Sequence, residues 1–303
     1  MAGKHAYLIM DGGNNLVQLQ QLINTLDDSR NDIYLHIDKK SPCSDHDLKQ
    51  KLSAKHAGFI LVPRMKVYWG GYSLVACELR LLKIAHQNCE YEYYHLLSGQ
   101  DLPLQSQDYI HKFMSEHKGY EFINFDDVKL QKDRKIRERV SHYHIFSDVS
   151  FRRYHTTIGI FFAKALRKLE EISQRLLKID KYKNKVIKYG SQWFSIDDDL
   201  AKYVIAHEKD IEKQFKNTIL CDELFLQTLV YTNDDFRQRL YPKNDGNLRY
   251  INWDLGLPFT WNSAHFNMLE EASKKGYLFA RKFDYIKDKN VINQVIERLL
   301  KKS

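Results

Sequence analysis

Proline is scarce in this chain, five in 303 residues, and glycine is modest at thirteen. No Pro/Gly/Ser-rich linker, low-complexity tract or internal repeat interrupts the sequence, which argues for one continuous domain. The four cysteines, Cys43, Cys77, Cys89 and Cys221, form no CxxC or Cys/His spacing. That speaks against a disulfide framework or a zinc module and fits reduced thiols in a reducing compartment. No apolar run reaches the roughly 18 residues of a membrane-spanning helix. No charged, then apolar, then small leader pattern opens the chain, and the first strand pattern begins by residue 6. The expectation is therefore a cytoplasmic protein. None of the thirteen histidines sits in HExxH or a Cys/His set, and no Gly-rich phosphate loop occurs.

Hydrophobic residues make up 43% of the chain and aromatics 13%, enough for a sizeable core. The formal net charge is +8. A basic surface suits nucleic acid, an anionic membrane or phosphorylated substrates. The longest basic cluster runs from Lys129 to Arg139 with no nucleic-acid motif beside it, so no nucleic-acid partner is expected.

The first half alternates strand and helix. Residues 5–10, 33–37, 59–62 and 93–97 read as strands, and 15–26, 73–86 and 106–116 as helices, with Ser73 a natural N-cap. Such alternation predicts an α/β fold with a mainly parallel sheet flanked by helices. Ligands on such sheets bind beyond the carboxyl ends of the strands, where Asp11, Asp38 and Asp101 fall. Residues 126–185 are basic and poor in strand pattern. Within them 158–177 reads as one long helix with Phe161, Phe162, Leu166, Leu169, Ile172, Leu176 and Leu177 in an apolar stripe. That stripe packs on the domain core or lies on an anionic membrane surface. The segments 191–196, 198–208 and 222–232 read as strand, helix and helix.

Two C-terminal regions carry chemistry. Cys221-Asp222-Glu223 opens a helix, and Arg249 and Lys282 lie among apolar and aromatic residues. A carboxylate can deprotonate an attacking hydroxyl, and fixed cations can stabilise a departing diphosphate. Asp197-Asp198-Asp199 has the Asp-x-Asp spacing that hard cations favour, but it follows a strand and opens a helix, where acids cap.

With Trp69-Gly70-Gly71-Tyr72-Ser73, residues 94–104 and Gly190-Ser191-Gln192-Trp193-Phe194-Ser195, these blocks run in order through nearly the whole chain. The chain resembles the core-2/I-branching β-1,6-N-acetylglucosaminyltransferase family, which includes the peptide xylosyltransferases. The resemblance implies a bacterial, cytosolic, inverting, metal-independent glycosyltransferase on a GT-A type fold, with no cofactor. One catalytic domain would span 1–303: a nucleotide-binding half at 1–125, a basic insertion at 126–185 and an acceptor/catalytic half at 186–303. It implies Glu223 as base and Arg249 and Lys282 as diphosphate ligands. Register favours Lys282 over the adjacent Arg281.

The donor, a UDP-sugar, would lie near Asp11, Asp38, Trp69, Gly70, Gly71 and Asp101. The acceptor, a growing and possibly lipid-linked glycan, would meet Arg137, Arg139, Trp193 and Trp253, with peripheral contact to the inner face of the cell membrane. At Asp11-Gly12-Gly13 the chain departs from the Ala-His-Asn usual in the family. Two alternatives stand beside this expectation: a metal-dependent enzyme using Asp197 and Asp199, and a basic, non-catalytic membrane-docking protein.

Overall fold

A computed structural model describes residues 3–144, 157–243, 246–256 and 258–301; side chains at 135, 139, 157–164 and 167 fall outside the description. In chain order the first half holds β1 (His5–Asp11), α1 (Leu16–Leu26), β2 (Asn31–Ile37), α2 (Asp45–Lys51), β3 (Gly58–Leu61), α3 (Tyr72–Asn88), β4 (Tyr93–Ser98), β5 (Asp101–Pro103), α4 (Gln107–Glu116) and β6 (Phe122–Phe125). The middle adds α5 (Asp127–Lys132), α6 (Arg134–Ser141) and α7 (Thr157–Leu176). Then come β7 (Gly190–Asp197), α8 (Asp198–Ala206), α9 (Glu208–Phe215), a 3-10 turn (Cys221–Glu223), α10 (Phe225–Tyr231) and α11 (Asp234–Gln238). β8 (Arg249–Ile251), α12 (Phe266–Lys274), β9 (Phe279–Arg281) and α13 (Lys289–Val295) close the order.

The main sheet has the order β3-β2-β1-β4-β7-β6. β3, β2, β1 and β4 are parallel; β7 runs antiparallel to both β4 and β6. The strands are apolar on both sides because both faces are covered. Along β1, Ala6, Leu8 and Met10 join one core cluster, with α3, α8 and α10, while Tyr7 and Ile9 join the other, with α1, α4, α12 and α13. A small sheet, β5-β9-β8, abuts the main one. The expected α/β layering is met, with one antiparallel strand, β7, between β4 and the edge strand β6, which runs in the direction of β4.

Three local expectations change. α3 starts one residue before Ser73, with Gly71 at its N-cap. Ser73 lies inside the helix and its hydroxyl accepts from the Tyr68 N–H at 2.8 Å, so it ties the preceding loop. The helix expected over 222–232 is a 3-10 turn followed by α10. Finally, α7 does not pack its described apolar stripe on the core. Leu169, Leu176 and Leu177 are 63%, 78% and 72% exposed, while the polar Gln174 is buried and exchanges hydrogen bonds with the Tyr143 backbone at 2.7 and 2.8 Å. The side chains of Phe161 and Phe162, expected in the same stripe, lie outside the described residues.

Candidate active site

The carboxyl ends of β1, β2 and β4 share one edge of the sheet with the amino end of antiparallel β7. Asp11 ends β1 half-buried; one carboxylate oxygen accepts from the Gly13 N–H at 2.6 Å. Its other oxygen occupies the space a Cβ on Gly99 would need, so this approach of two strand ends requires glycine. Burial raises the Asp11 pKa against the pull of the Gly12 and Gly13 amides. Asp38, just past β2, is neutralised by Lys40, whose Nζ stands 3.1 Å away and 4.3 Å over the Tyr68 ring. Asp101 is buried, and its oxygens accept from the Ser98 N–H and hydroxyl at 2.8 and 3.0 Å. It therefore shapes the turn after β4 and presents no free carboxylate to a donor, which revises its expected role.

Trp69, 85% exposed, stands on the loop before α3. The Gly70 carbonyl of that loop accepts from the Leu220 N–H at 2.9 Å. Leu220 takes the left-handed conformation, φ 59, which a branched apolar residue adopts only when its surroundings impose it. The next three residues are Cys221, Asp222 and Glu223. The Trp69–Gly71 loop and the acidic turn are thus one unit.

Glu223 is half-buried, and the Tyr189 phenol donates to its Oε2 at 2.7 Å. Burial raises its pKa, while the Tyr189 hydrogen bond and the Lys129 charge pull it back. The Lys129 ammonium lies 5.7 Å from the Tyr189 ring and 5.4 Å from the ring of half-exposed Trp253. Lys129 also lines a cleft of about 650 Å³ with Asp126, Val128, Lys132, Asp133 and Arg134. The Lys129 ammonium thus links the Tyr189–Glu223 pair and the Trp253 ring to the cleft that Lys129 lines. Beneath them Asp222 is buried, and desolvation and the Glu223 charge push its pKa up to about 7. Burial, then Asp222, hold Glu78 well above the usual carboxylate range; its Oε1 accepts from Gln192 at 2.7 Å.

The cations divide differently from expectation. Arg249 is buried, and its guanidinium donates to the Asn247, Phe194 and Leu96 carbonyls and to Ser195 Oγ. Those acceptors lie on β4, β7 and the turn before β8, so the side chain stitches the two sheets instead of facing a diphosphate. Lys282 directly follows β9 and is half-buried, and no ion pair engages its ammonium among the described residues. Arg281 packs 4.2 Å over the Trp193 ring with its Nε 3.5 Å from Asp101, so Trp193 is a platform for a cation.

Asp197 and Asp199 lie elsewhere. Asp197 pairs with Tyr93, the first residue of β4, which puts the motif at the opposite edge of the sheet. Asp197 caps α8 by accepting from the Leu200 N–H at 3.0 Å, and it ion-pairs with Arg239. Among the described residues no group of three His, Cys, Asp or Glu is placed to hold a metal ion. Arg137 is exposed on α6, one turn after Arg134, and the Arg139 side chain lies outside the described residues. Sequence reasoning missed Tyr189, whose only signal is its place directly before Gly190, and Glu78, hidden in an ordinary helical pattern.

A family model described as "Core-2/I-Branching enzyme" matches residues 5–276. Xylosyltransferase 2 of Rattus norvegicus is 23% identical over 97% of the chain, and Xylosyltransferase 1 of Homo sapiens is 21% identical over 96%. The chain spans about a third of the length of these curated relatives, 33% and 30%. A crystal structure of S. aureus TarS aligns with 38% of this chain and 20% of its own at a TM-score of 0.26 and 13% identity, too low to carry an argument. With the matched region running from β1 to the turn before β9, the chain belongs to the core-2/I-branching enzyme family.

Proposed function

We propose that this chain is an inverting glycosyltransferase that moves a sugar, with GlcNAc the first candidate, from a UDP-sugar to a hydroxyl of a growing cell-surface glycan without a metal. The observation that carries the reading is Glu223: a half-buried carboxylate, hydrogen-bonded by Tyr189 just before β7 and near the Lys129 charge, with Lys129 itself lining an open cleft. The acceptor oxygen attacks the anomeric carbon as the bond from that carbon to the diphosphate oxygen breaks. UDP leaves with the bonding pair, and Glu223 takes the acceptor's proton. Lys282, beside the end of β9, is the cation assigned to the leaving diphosphate. Asp11 and the Trp69–Gly71 loop would line the donor side, and Trp253 would offer a stacking face to the acceptor.

Two further points support the finer reading. The Asp197/Asp199 motif stands at the far edge of the sheet and is already engaged by a helix cap and Arg239, which disfavours it as a diphosphate-bound metal site. The outward apolar stripe of α7, near Lys168 and Lys178, suits a peripheral seat on anionic lipid, where lipid-linked acceptors would be met. No described helix is long and apolar enough to cross a membrane.

The test is turnover of UDP-sugars, by hydrolysis or transfer, with excess EDTA or with Mn²⁺. Wild type should keep its rate in EDTA. Glu223→Gln should lose on the order of 10²–10⁴-fold, and Lys282→Ala should weaken UDP binding. Near-normal turnover in Glu223→Gln would sink the base assignment, and loss of wild-type activity in EDTA would sink the metal-free mechanism.

A further inference from the structure

Tyr189 immediately precedes β7, and the strand fixes its position tightly. At Gly190 an added Cβ would collide with the Asn124 carbonyl, so the backbones of β6 and β7 are pressed together there. The backbone N–H of Asp126 donates to the Tyr189 carbonyl at 2.8 Å. The Tyr189 side chain is 4% exposed, and its hydroxyl donates to Glu223 Oε2 at 2.7 Å. No hydrogen bond engages Oε1 among the described residues. Glu223 itself sits on a three-residue turn that follows a left-handed residue, and its backbone N–H donates to the Leu220 carbonyl at 3.1 Å.

We propose that Tyr189 is a positioning residue for Glu223: its phenol holds Oε2 and leaves Oε1 as the atom that takes the acceptor's proton. This rests on the reading of Glu223 as the base. A carboxylate has two equivalent oxygens and a broad terminal torsion, so an unheld Glu samples many orientations. One short hydrogen bond to a buried donor removes most of that freedom and aligns the remaining oxygen. The same bond favours the ionised form, the form a base must have. The other charged groups around this carboxyl are Lys129 on α5, Asp222 on its own turn and Asp126 before α5, with Glu78 on α3 beyond Asp222. Lys129 works in the same direction as Tyr189 on Glu223, and burial works against both.

The test is Tyr189→Phe, which removes one oxygen and keeps the ring. Two quantities are followed with pH: turnover of the donor and the carboxyl ¹³C signal of Glu223, with Glu223→Gln as control. The expected result is a carboxyl titration and an acidic limb of the rate profile both moved to higher pH. Turnover at neutral pH should fall about tenfold while the donor KM is unchanged. A variant that is slower with both titrations unmoved overturns the inference, since lost packing alone would give that result. Near-normal turnover in Glu223→Gln overturns the base assignment and this inference with it. A dead Glu223→Gln beside an unmoved Tyr189→Phe overturns this inference alone. Should Tyr189→Phe fail to fold, 3-fluorotyrosine at position 189 gives a stronger donor and must move the carboxyl titration to lower pH; no movement overturns the proposal.

Discussion

Asp222 and Glu223 are adjacent carboxylates with opposite circumstances. Glu223 is half-buried with a donor and a nearby cation; Asp222 is buried and its Oδ1 has no hydrogen-bond partner among the described residues. The Asp222 pKa of about 7 stands far above the unfolded value near 3.8. The folded chain keeps a proton that the unfolded chain releases between those two values. Stability is therefore lost as pH rises through that window, and the loss is complete above pH 7. Asp222→Asn removes this titration. Its stability relative to wild type should climb between pH 4 and 7 by about 2 to 4 kcal/mol and then level off, as denaturant midpoints at a series of pH values would show. A flat difference across the series would mean that Asp222 ionises normally in the fold.

Among the elements, α7 departs furthest from what its pattern suggests. A stripe at helical spacing ordinarily marks the core-facing side. Here the buried contact is made by Gln174, and the described stripe faces out. Leu169→Ser with Leu176→Ser should leave the melting temperature within about 2 °C, since exposed positions contribute little. The same variant should lose salt-sensitive flotation with anionic vesicles. A drop of many degrees would place the stripe in a packed interface instead.

β1, β2 and β4 were legible because strands covered on both faces must be continuously apolar. Position 223 was expected to open a helix, and the apolar periodicity does mark α10, which begins two residues later, after the 3-10 turn. Other features were not legible, since each depends on a partner distant in sequence. The Tyr189–Glu223 bond spans 34 residues and the Arg249–Leu96 bond 153. Arg249 among apolar residues reads equally well as a phosphate ligand or as a buried stitch; only the packing of β8 against the large sheet decides. Ser73 shows the same limit locally: one residue of helix start turned an expected cap into a loop tether.

For the molecule as a whole, Arg249 determines how the two sheets hold together. Its guanidinium serves carbonyls of β4 and β7 from a strand of the small sheet, and Ser195 Oγ, which it also reaches, bonds the buried His95 at 2.7 Å. Removing it strands several buried acceptors, each costing roughly 1–3 kcal/mol. Arg249→Ala should therefore unfold at markedly lower denaturant, and Arg249→Lys should rescue little, because one ammonium cannot reproduce the planar fork. A variant with wild-type stability and weak UDP binding would return Arg249 to the donor site.

The stitch also has a consequence for biosynthesis. Leu96 and Phe194 leave the ribosome long before Arg249 is translated. A nascent chain that has reached only Leu240 holds all six strands of the large sheet but lacks the donor that closes the seam between β4 and β7. Ribosome-bound chains arrested there should stay sensitive to protease across β7, and protection should come only once the small sheet has emerged. The edge that carries Glu223, which depends on β7, would then be among the last parts of the molecule to set.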